Sequence, residues 1–559
     1  MEKSCKQCNA TFDITDDDIA FYDAVSPVFN GKKISLPPPD QCPDCRYQQR
    51  LTWRNERNLY RRKCAVTGED IVSIFSPDKS WPPIVKQSYW WSDAWDPREY
   101  GRDFDFNRPF FEQWLELFKV VPQLAMNNQQ SENCEFSNQS QMNKDCYMVF
   151  CTSESRDCMH GMWFQFCENC VDCLYLGRSR YCYEVVNGEN CYHCTHSQNL
   201  TNCSEVHYSR DCIGCQDCFG CVNLRRKEYC IFNEQKTKEE YETFMKSFDS
   251  TSWSAREVFR NRMEEMAFQH PRPHAILRHT EDVSGNFLQQ AKNVRERMFI
   301  QYAEDCLRCF NVHEGVRDCR DYTLFGRRAE LIYESASCGI DIQRLAFCYQ
   351  CREGSNSLYY CSSCDACQDC FGSISLRHKR YCIFNRQYTK DEYEQTVPKL
   401  IEKMRREGAW GEMFPMDLSP IPYNHSYAQR YFPLTKRQAL ERGLGWYDKE
   451  VEDAKQAVNA GALPDQLPSA SEPILARSVS SGRPYRITTK EMEKYHQLGV
   501  PLPRYTYDER MELRAKKLGG IRLYERTCMK TGKPILTTYA PDSPYIIWDR
   551  DIYEEESVS

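Results

Sequence analysis

A chain of 559 residues with Lys+Arg 73 against Asp+Glu 80 and a net charge of -7 is long enough for several domains. It is not a polycation that coats nucleic acid by bulk charge. No run approaches the ~18 consecutive apolar residues of a membrane span, and the opening MEKSCKQCNATFDITDDD lacks the apolar core of a secretory signal. The expectation is a cytoplasmic protein without a membrane partner. The outlier is 33 cysteines: five in residues 1–64, 27 between Cys134 and Cys382, and Cys528. An odd total without an export signal argues against a disulfide framework and leaves metal binding and thiol packing.

In chain order, residues 1–100 come first. Cys5-x2-Cys8 and Cys42-x2-Cys45 supply four thiolates as two knuckles, the donor set of a tetrahedral structural zinc. The segment between them, DITDDDIAFYDAV, is expected to form a helical excursion. With neither His nor an open coordination position, the site does not read as hydrolytic. Arg46, Arg50, Arg54, Arg57 and Arg61 then recur at steps of 4, 4, 3 and 4, which predicts five guanidiniums on one helical face. Such a face could lie along a phosphate backbone with Trp53 and Tyr60 stacking; the competing reading is a solvated face paired with acids such as Glu56. Residues 101–125 carry RPFFEQWLELFKVV, a bracing helix.

Residues 126–235 and 286–388 are predicted as two cysteine-laddered parallel β-solenoid modules. The thirty residues from Cys212 match those from Cys364 at 20 positions, so the modules are duplicates. Each runs into a capping box, Thr237 with Glu240 and Thr389 with Glu392, which should start a helix; residues 236–285 are assigned as the helical segment between the modules. Cys170, Cys182, Cys191, Cys203 and Cys212 follow at steps of 12, 9, 12 and 9, which suggests a coil of about 21 residues. Asn/Asp-Cys pairs such as Asp145-Cys146 and Asn190-Cys191 fit corner residues followed by an inward thiol that behaves as a small buried hydrophobe. The runs Cys167, Cys170, Cys173; Cys212, Cys215, Cys218, Cys221; and Cys361, Cys364, Cys367, Cys370 have three readings: packed thiols, further zinc, or iron–sulfur ligands. Neither four-cysteine run has the x3-Cys-Pro ending, and Cys221 becomes Ser373 in the duplicate. Cys191, His193, Cys194 and His196 could form a mixed site.

Residues 389–434 are assigned to a helix and a Pro-rich linker, with further linker composition from Ala462 to Pro484. Residues 435–559 are assigned to a degenerate copy of the first domain. RRKCAVTGEDIVSIFSPD around Cys64 matches YERTCMKTGKPILTTYAPD around Cys528. The alignment places Ser478, Ser481, Thr506 and Glu509 opposite Cys5, Cys8, Cys42 and Cys45, so this copy should bind no zinc. Leu518, Ile521 and Glu525 stand opposite Arg54, Arg57 and Arg61.

PDQCPDCRYQQRL, WWSDAWDPREYGRDFDFNRPFFEQW, CFGCVNLRRKEYCIFN with TKEEYE, and NHSYAQRYFPLTKRQALERG resemble a group of uncharacterised zinc-ribbon proteins from candidate-phyla bacteria of the Patescibacteria or Parcubacteria type. The resemblance covers most of the chain. It implies an amino-terminal zinc ribbon and a second ribbon around Cys64, where Thr67, Lys86 and Tyr89 stand in place of ligands. Some members carry a CaiB/BaiF CoA-transferase label, a chemistry these residues do not support. No nucleophile elbow, phosphate loop, HExxH or dinucleotide fingerprint occurs. The reading is a multidomain, β-rich, non-catalytic zinc-binding scaffold docking on nucleic acid or a nucleoprotein through the arginine face, with the solenoid offered to a protein partner. The alternatives are a redox, iron–sulfur or metal-storage protein, and a purely structural one.

Overall fold

The computed structural model describes residues 1–165, 170–177, 179–180, 182–281, 283–292, 300–304, 312–317, 333–339, 341–448 and 455–557. Cys167, Cys306, Cys309 and Cys319 lie outside the described residues.

From Gln130 to His160 every third residue has a positive φ, and the same spacing resumes from Glu184 to Phe232. A left-handed residue reverses the local direction of the chain, so each one is a corner between three-residue sides. Asn and Asp tolerate that conformation best, which accounts for Asp145, Asp157, Asn190, Asn202 and Asp211 at corners. Phe136, Met148 and Tyr208 take it as well, so the stacking of the coils imposes it. At two corners a phenylalanine ring of the next coil lies so close that only glycine fits. A Cβ on Gly220 would meet Phe232 at 2.4 Å, and one on Gly372 would meet Phe384 at 2.8 Å.

Successive strands pair parallel. Tyr147 faces Met159, Met159 faces Val171, Val186 faces Gln198, and Gln216 faces Glu228. Each register is twelve residues, that is, four sides of three. The coil of about 21 residues is therefore corrected to twelve; a step of nine is three sides, and 21 is one turn and three sides. In the second module Tyr333 faces Ala346 and Ala346 faces Tyr359, thirteen apart, whereas Tyr359 faces Phe371 at twelve. The extra residue shows as corners four apart, Ser337 to Asp341, and it explains the looser cysteine spacing there.

The interior positions follow each corner. Two of the three backbone N–H groups on a side bond carbonyls of adjacent coils, as Glu132 does with Asn143 and Asp145 with Glu132, both at 2.9 Å. The third N–H points inward, and buried backbone donors must find acceptors. It bonds the inward side chain twelve or thirteen residues earlier: Ser209 N to Ser197 Oγ at 3.0 Å, Cys221 N to Ser209 Oγ at 3.0 Å, Cys351 N to Cys338 Sγ at 3.3 Å. The inward hydroxyl or thiol donates in turn. Cys146 Sγ reaches the carbonyls of Lys144 at 3.3 Å and Ser155 at 3.5 Å, and Ser373 Oγ reaches Phe371 and Cys382 in the same way. A small side chain that both accepts and donates suits this position, which is why cysteine and serine fill most of it. Val149, Val185 and Leu200 occupy other inward places in the same thiol-lined core. Cys338→Ala should leave the Cys351 N–H without an acceptor and cost about 1–3 kcal/mol, whereas Cys338→Ser should cost less; urea midpoints of the two variants would check this.

Each module ends where its last parallel strand turns antiparallel, and an asparagine closes the exposed edge. Asn233 Oδ1 accepts from Val222 N, and Asn385 Oδ1 accepts from Ile374 N. The capping boxes at Thr237 and Thr389 then start helices Lys238–Ser247 and Lys390–Glu407.

The ends of the chain cover the modules crosswise. Trp53, Phe110, Trp114 and Phe118 form one aromatic core with Tyr349, Tyr360 and Phe371 of the second module. Trp114, on the bracing helix Phe110–Phe118, donates Nε1–H to Tyr360 O at 3.1 Å. The carboxy-terminal copy packs on the first module, where Met492 and Tyr495 join Met159, Val171 and Tyr183. Neither Pro-rich stretch is a free linker. Tyr423, Tyr427 and Ala428 are buried, with Tyr427 N on Arg54 O at 2.8 Å, and Ile474–Arg477 pairs with Pro484–Ile487 as a hairpin. Among the described residues no helix is long and apolar enough to cross a membrane.

Candidate metal centre

Hairpin Glu2–Ser4 with Thr11–Asp13 carries the first knuckle. Cys5 N donates to Ala10 O and Asn9 N to Cys5 O, both at 2.9 Å, with Asn9 left-handed at φ 60°. A capping box at Thr15 starts the predicted excursion as helix Asp16–Ala24. The second knuckle opens helix Pro43–Thr52, with Cys42 at the N-cap and Cys45 in the first turn. Proline just inside the start fixes the helical φ at no hydrogen-bond cost.

All four sulfurs lie within 4.8 Å of one another, and Cys8 Sγ is 3.7 Å from Cys42 Sγ. Tetrahedral Zn–S bonds of about 2.3 Å require sulfurs about 3.8 Å apart, so the donors fit a closed four-thiolate site. Cys42 N donates to Cys5 Sγ at 3.1 Å, a contact that stabilises a thiolate. Hydrogen bonding from Cys45 lowers the Cys42 thiol to about 5, and Cys45, donating to that thiolate, is raised.

The carboxy-terminal copy reproduces this backbone without the donors. Ser478 N bonds Arg483 O at 3.0 Å and Gly482 N bonds Ser478 O at 2.9 Å, with Gly482 at φ 68° in the place of Asn9. Thr506 caps helix Tyr507–Lys517 where Cys42 caps its counterpart. Glu509 stands in the place of Cys45 and takes over the centre: Ser480 Oγ donates to it at 2.9 Å and Thr506 N at 2.8 Å. Burial opposes its ionisation, but bonds from Ser481, Ser478, Thr506 and Ser480 hold it at about 2. A hydrogen-bonded carboxylate here replaces the four-sulfur set.

The arginine face is corrected. The helix ends at Thr52 with Trp53 as its C-cap, and Arg61 lies on strand Tyr60–Lys63. Arg50 is 0% exposed, Arg54 2% and Arg46 5%. Arg46 reaches Glu334 at 2.9 Å and Arg50 reaches the same carboxylate at 3.7 Å. Arg54 pairs with Glu56, and Arg57 with Glu512 at 2.5 Å. Arg46, Arg50 and Arg54 are enclosed ion-pair partners, Arg57 is half-buried and Arg61 is exposed on its strand, so the five guanidiniums do not form one stripe facing solvent. The copy repeats the device on the other module, where Arg510 and Arg514, aligned with Arg46 and Arg50, meet Asp172 at 2.6 and 3.0 Å. Glu334 and Asp172 are both left-handed corner residues. Each end domain thus plants two arginines, four residues apart, on one carboxylate of a module. Neither acid stands out in the sequence, where both look like ordinary surface residues.

Beside the Asp172 contact, Glu184 accepts from Arg256 at 2.6 Å and pairs with His196 at 2.9 Å. Burial, with repulsion from Arg256, lowers His196 to about 4. The folded imidazole therefore stays neutral at pH values where the unfolded one, near 6.5, takes a proton. Stability should fall as pH drops from about 6.5 to 4, by at most about 3 kcal/mol from this group. Urea unfolding at pH 7 and 4.5 should show a smaller difference for His196→Gln.

The other metal readings separate. Among the described residues, two groups of three or more His, Cys, Asp or Glu lie within 4.8 Å of one another: the four cysteines above, and His193, Glu205 and His207. Cys212, Cys215, Cys218 and Cys221 are not gathered, nor are Cys361, Cys364, Cys367 and Cys370. Each stands on its own side of a coil and bonds carbonyls, as Cys212 does with Arg210 O at 3.4 Å and Cys364 with Ser362 O at 3.5 Å. Burial raises Cys338, Cys348, Cys364 and Cys370 well above the ordinary thiol range, while bonds from neighbouring thiols lower Cys351 and Cys367. Cys191 and Cys194 point inward whereas His193 and His196 are corners, so no mixed site forms. Cys64 and Cys528 each close a matching hairpin, accepting from Thr67 and Thr531; neither has a ligand set.

No family model matches the chain, and no curated protein matches it. Among solved structures, UDP-N-acetylglucosamine acyltransferase from Campylobacter jejuni aligns with 58% of this chain and 100% of its own at 9% identity, with a TM-score of 0.08, too slight a likeness to carry an argument.

Proposed function

We propose that the protein is a non-catalytic scaffold in which one structural zinc, held by Cys5, Cys8, Cys42 and Cys45 in a ribbon domain, fixes the latch of that domain on a cysteine-lined solenoid. The observation that carries the reading is the paired design: two homologous end domains, one centred on four sulfurs and the other on Glu509, each set two arginines on a corner carboxylate. Four protein donors fill a tetrahedral shell and leave no place for substrate or water, as structural zinc sites do. The solenoid surface, where Tyr192 and Ile213 are exposed, is the part offered to a protein partner.

Cobalt substituted at the four cysteines tests the closed shell. Its absorption spectrum should not change when azide or cyanide is added. A shifted spectrum would reveal an open coordination position and sink the non-catalytic reading.

A further inference from the structure

We infer that His193, Glu205 and His207 form a second, independent metal site on the outer corner of the first module, suited to a borderline divalent cation such as Zn2+, Co2+ or Ni2+. Their ligand atoms lie within 4.8 Å of one another. His193 Nδ1 is 2.6 Å and His207 Nε2 3.8 Å from Glu205 Oε2. Bonds of about 2.0–2.2 Å to such a cation place tetrahedral donors about 3.4 Å apart, so the triad needs only small side-chain rotations to close on an ion. Two imidazoles with one carboxylate favour these metals over Mg2+ or Ca2+, which take oxygen shells.

The backbone fixes the arrangement. His193 and Glu205 are left-handed corners twelve residues apart, stacked in adjacent coils. Thr195 and His207 face each other across the next parallel bridge. Thr195 Oγ1 lies 2.9 Å from His207 Nδ1. That contact occupies one ring nitrogen and orients the other toward Glu205, the second sphere that metal-binding histidines usually have. Three protein donors on a surface where the side chains of His193 and Glu205 are 49% and 36% exposed leave a coordination position open to solvent.

The test uses the full chain with zinc already on its four cysteines, titrated anaerobically with Co2+ alone. One further equivalent should bind, with weak d–d bands and none of the intense sulfur-to-cobalt absorption of a thiolate site. His193→Ala, at an exposed position, and Glu205→Gln, an isosteric change at a half-buried one, should each weaken that equivalent at least tenfold, and Thr195→Val should weaken it less. The proposal is overturned if no further equivalent binds at millimolar Co2+, or if the two variants bind it as the parent does. In that case the three residues form a metal-free hydrogen-bonded cluster.

Discussion

Cys42→Ser with Cys45→Ser is expected to release the amino-terminal metal and detach residues 1–100 from the second module. Structural zinc contributes roughly 10–16 kcal/mol of apparent binding energy in small domains, against a total stability of about 5–15 kcal/mol for a whole one. The hairpin Glu2–Ser4/Thr11–Asp13 and the helix Pro43–Thr52 are otherwise joined mainly through the small cluster of Cys5, Cys42 and Cys45 with Phe12. Without the ion, that cluster must hold four crowded thiols. Trp53, buried between Trp114, Phe118, Tyr349 and Phe414, should become exposed, shifting its fluorescence to the red and losing amide protection along residues 43–63. The carboxy-terminal copy, centred on Glu509, should keep its protection. Loss of protection in both copies would mean that the two ends fold as one unit.

Glu334→Ala should be the most damaging single substitution outside the metal ligands, at about 3–5 kcal/mol. It leaves Arg46 and Arg50 buried without their counter-charge, and an unpaired buried cation costs far more than the pair contributed. Asp172→Ala should do the same to Arg510 and Arg514. Replacing both arginines and Glu334 together by apolar residues should restore much of the loss, because no charge is then stranded. Thermal midpoints of the single and triple variants measure this directly. If Glu334→Ala is neutral, the latch does not hold the domains together.

The knuckle cysteines, the duplications and the capping boxes were legible because each is a local pattern whose physics is complete within a few residues. The coil length was not. Inward positions recur every three residues, but cysteine marks only some of them, and Val149, Ser197, Leu200 and Ser209 hide the rest; the visible steps of 12 and 9 therefore suggested a longer period. The arginine spacing kept helical rhythm through Arg61 although the helix stops at Thr52. Its acidic partner lies 288 residues away from Arg46, a distance across which no single sequence shows pairing. The His193 and Glu205 pairing becomes visible only once twelve is known to be the stacking register.

The cysteines divide in two: four are gathered as a metal-binding set, and the inward thiols of the modules serve the backbone. X-ray absorption with elemental analysis of anaerobically purified protein distinguishes the two groups. One sulfur-bound zinc per chain is expected, with four sulfurs at about 2.3 Å and any further metal held by nitrogen and oxygen alone, together with no iron and the loss of all sulfur-bound metal in the Cys42→Ser, Cys45→Ser variant. Iron with inorganic sulfide, or sulfur-bound metal that survives in that variant, would show that the module thiols bind metal as well.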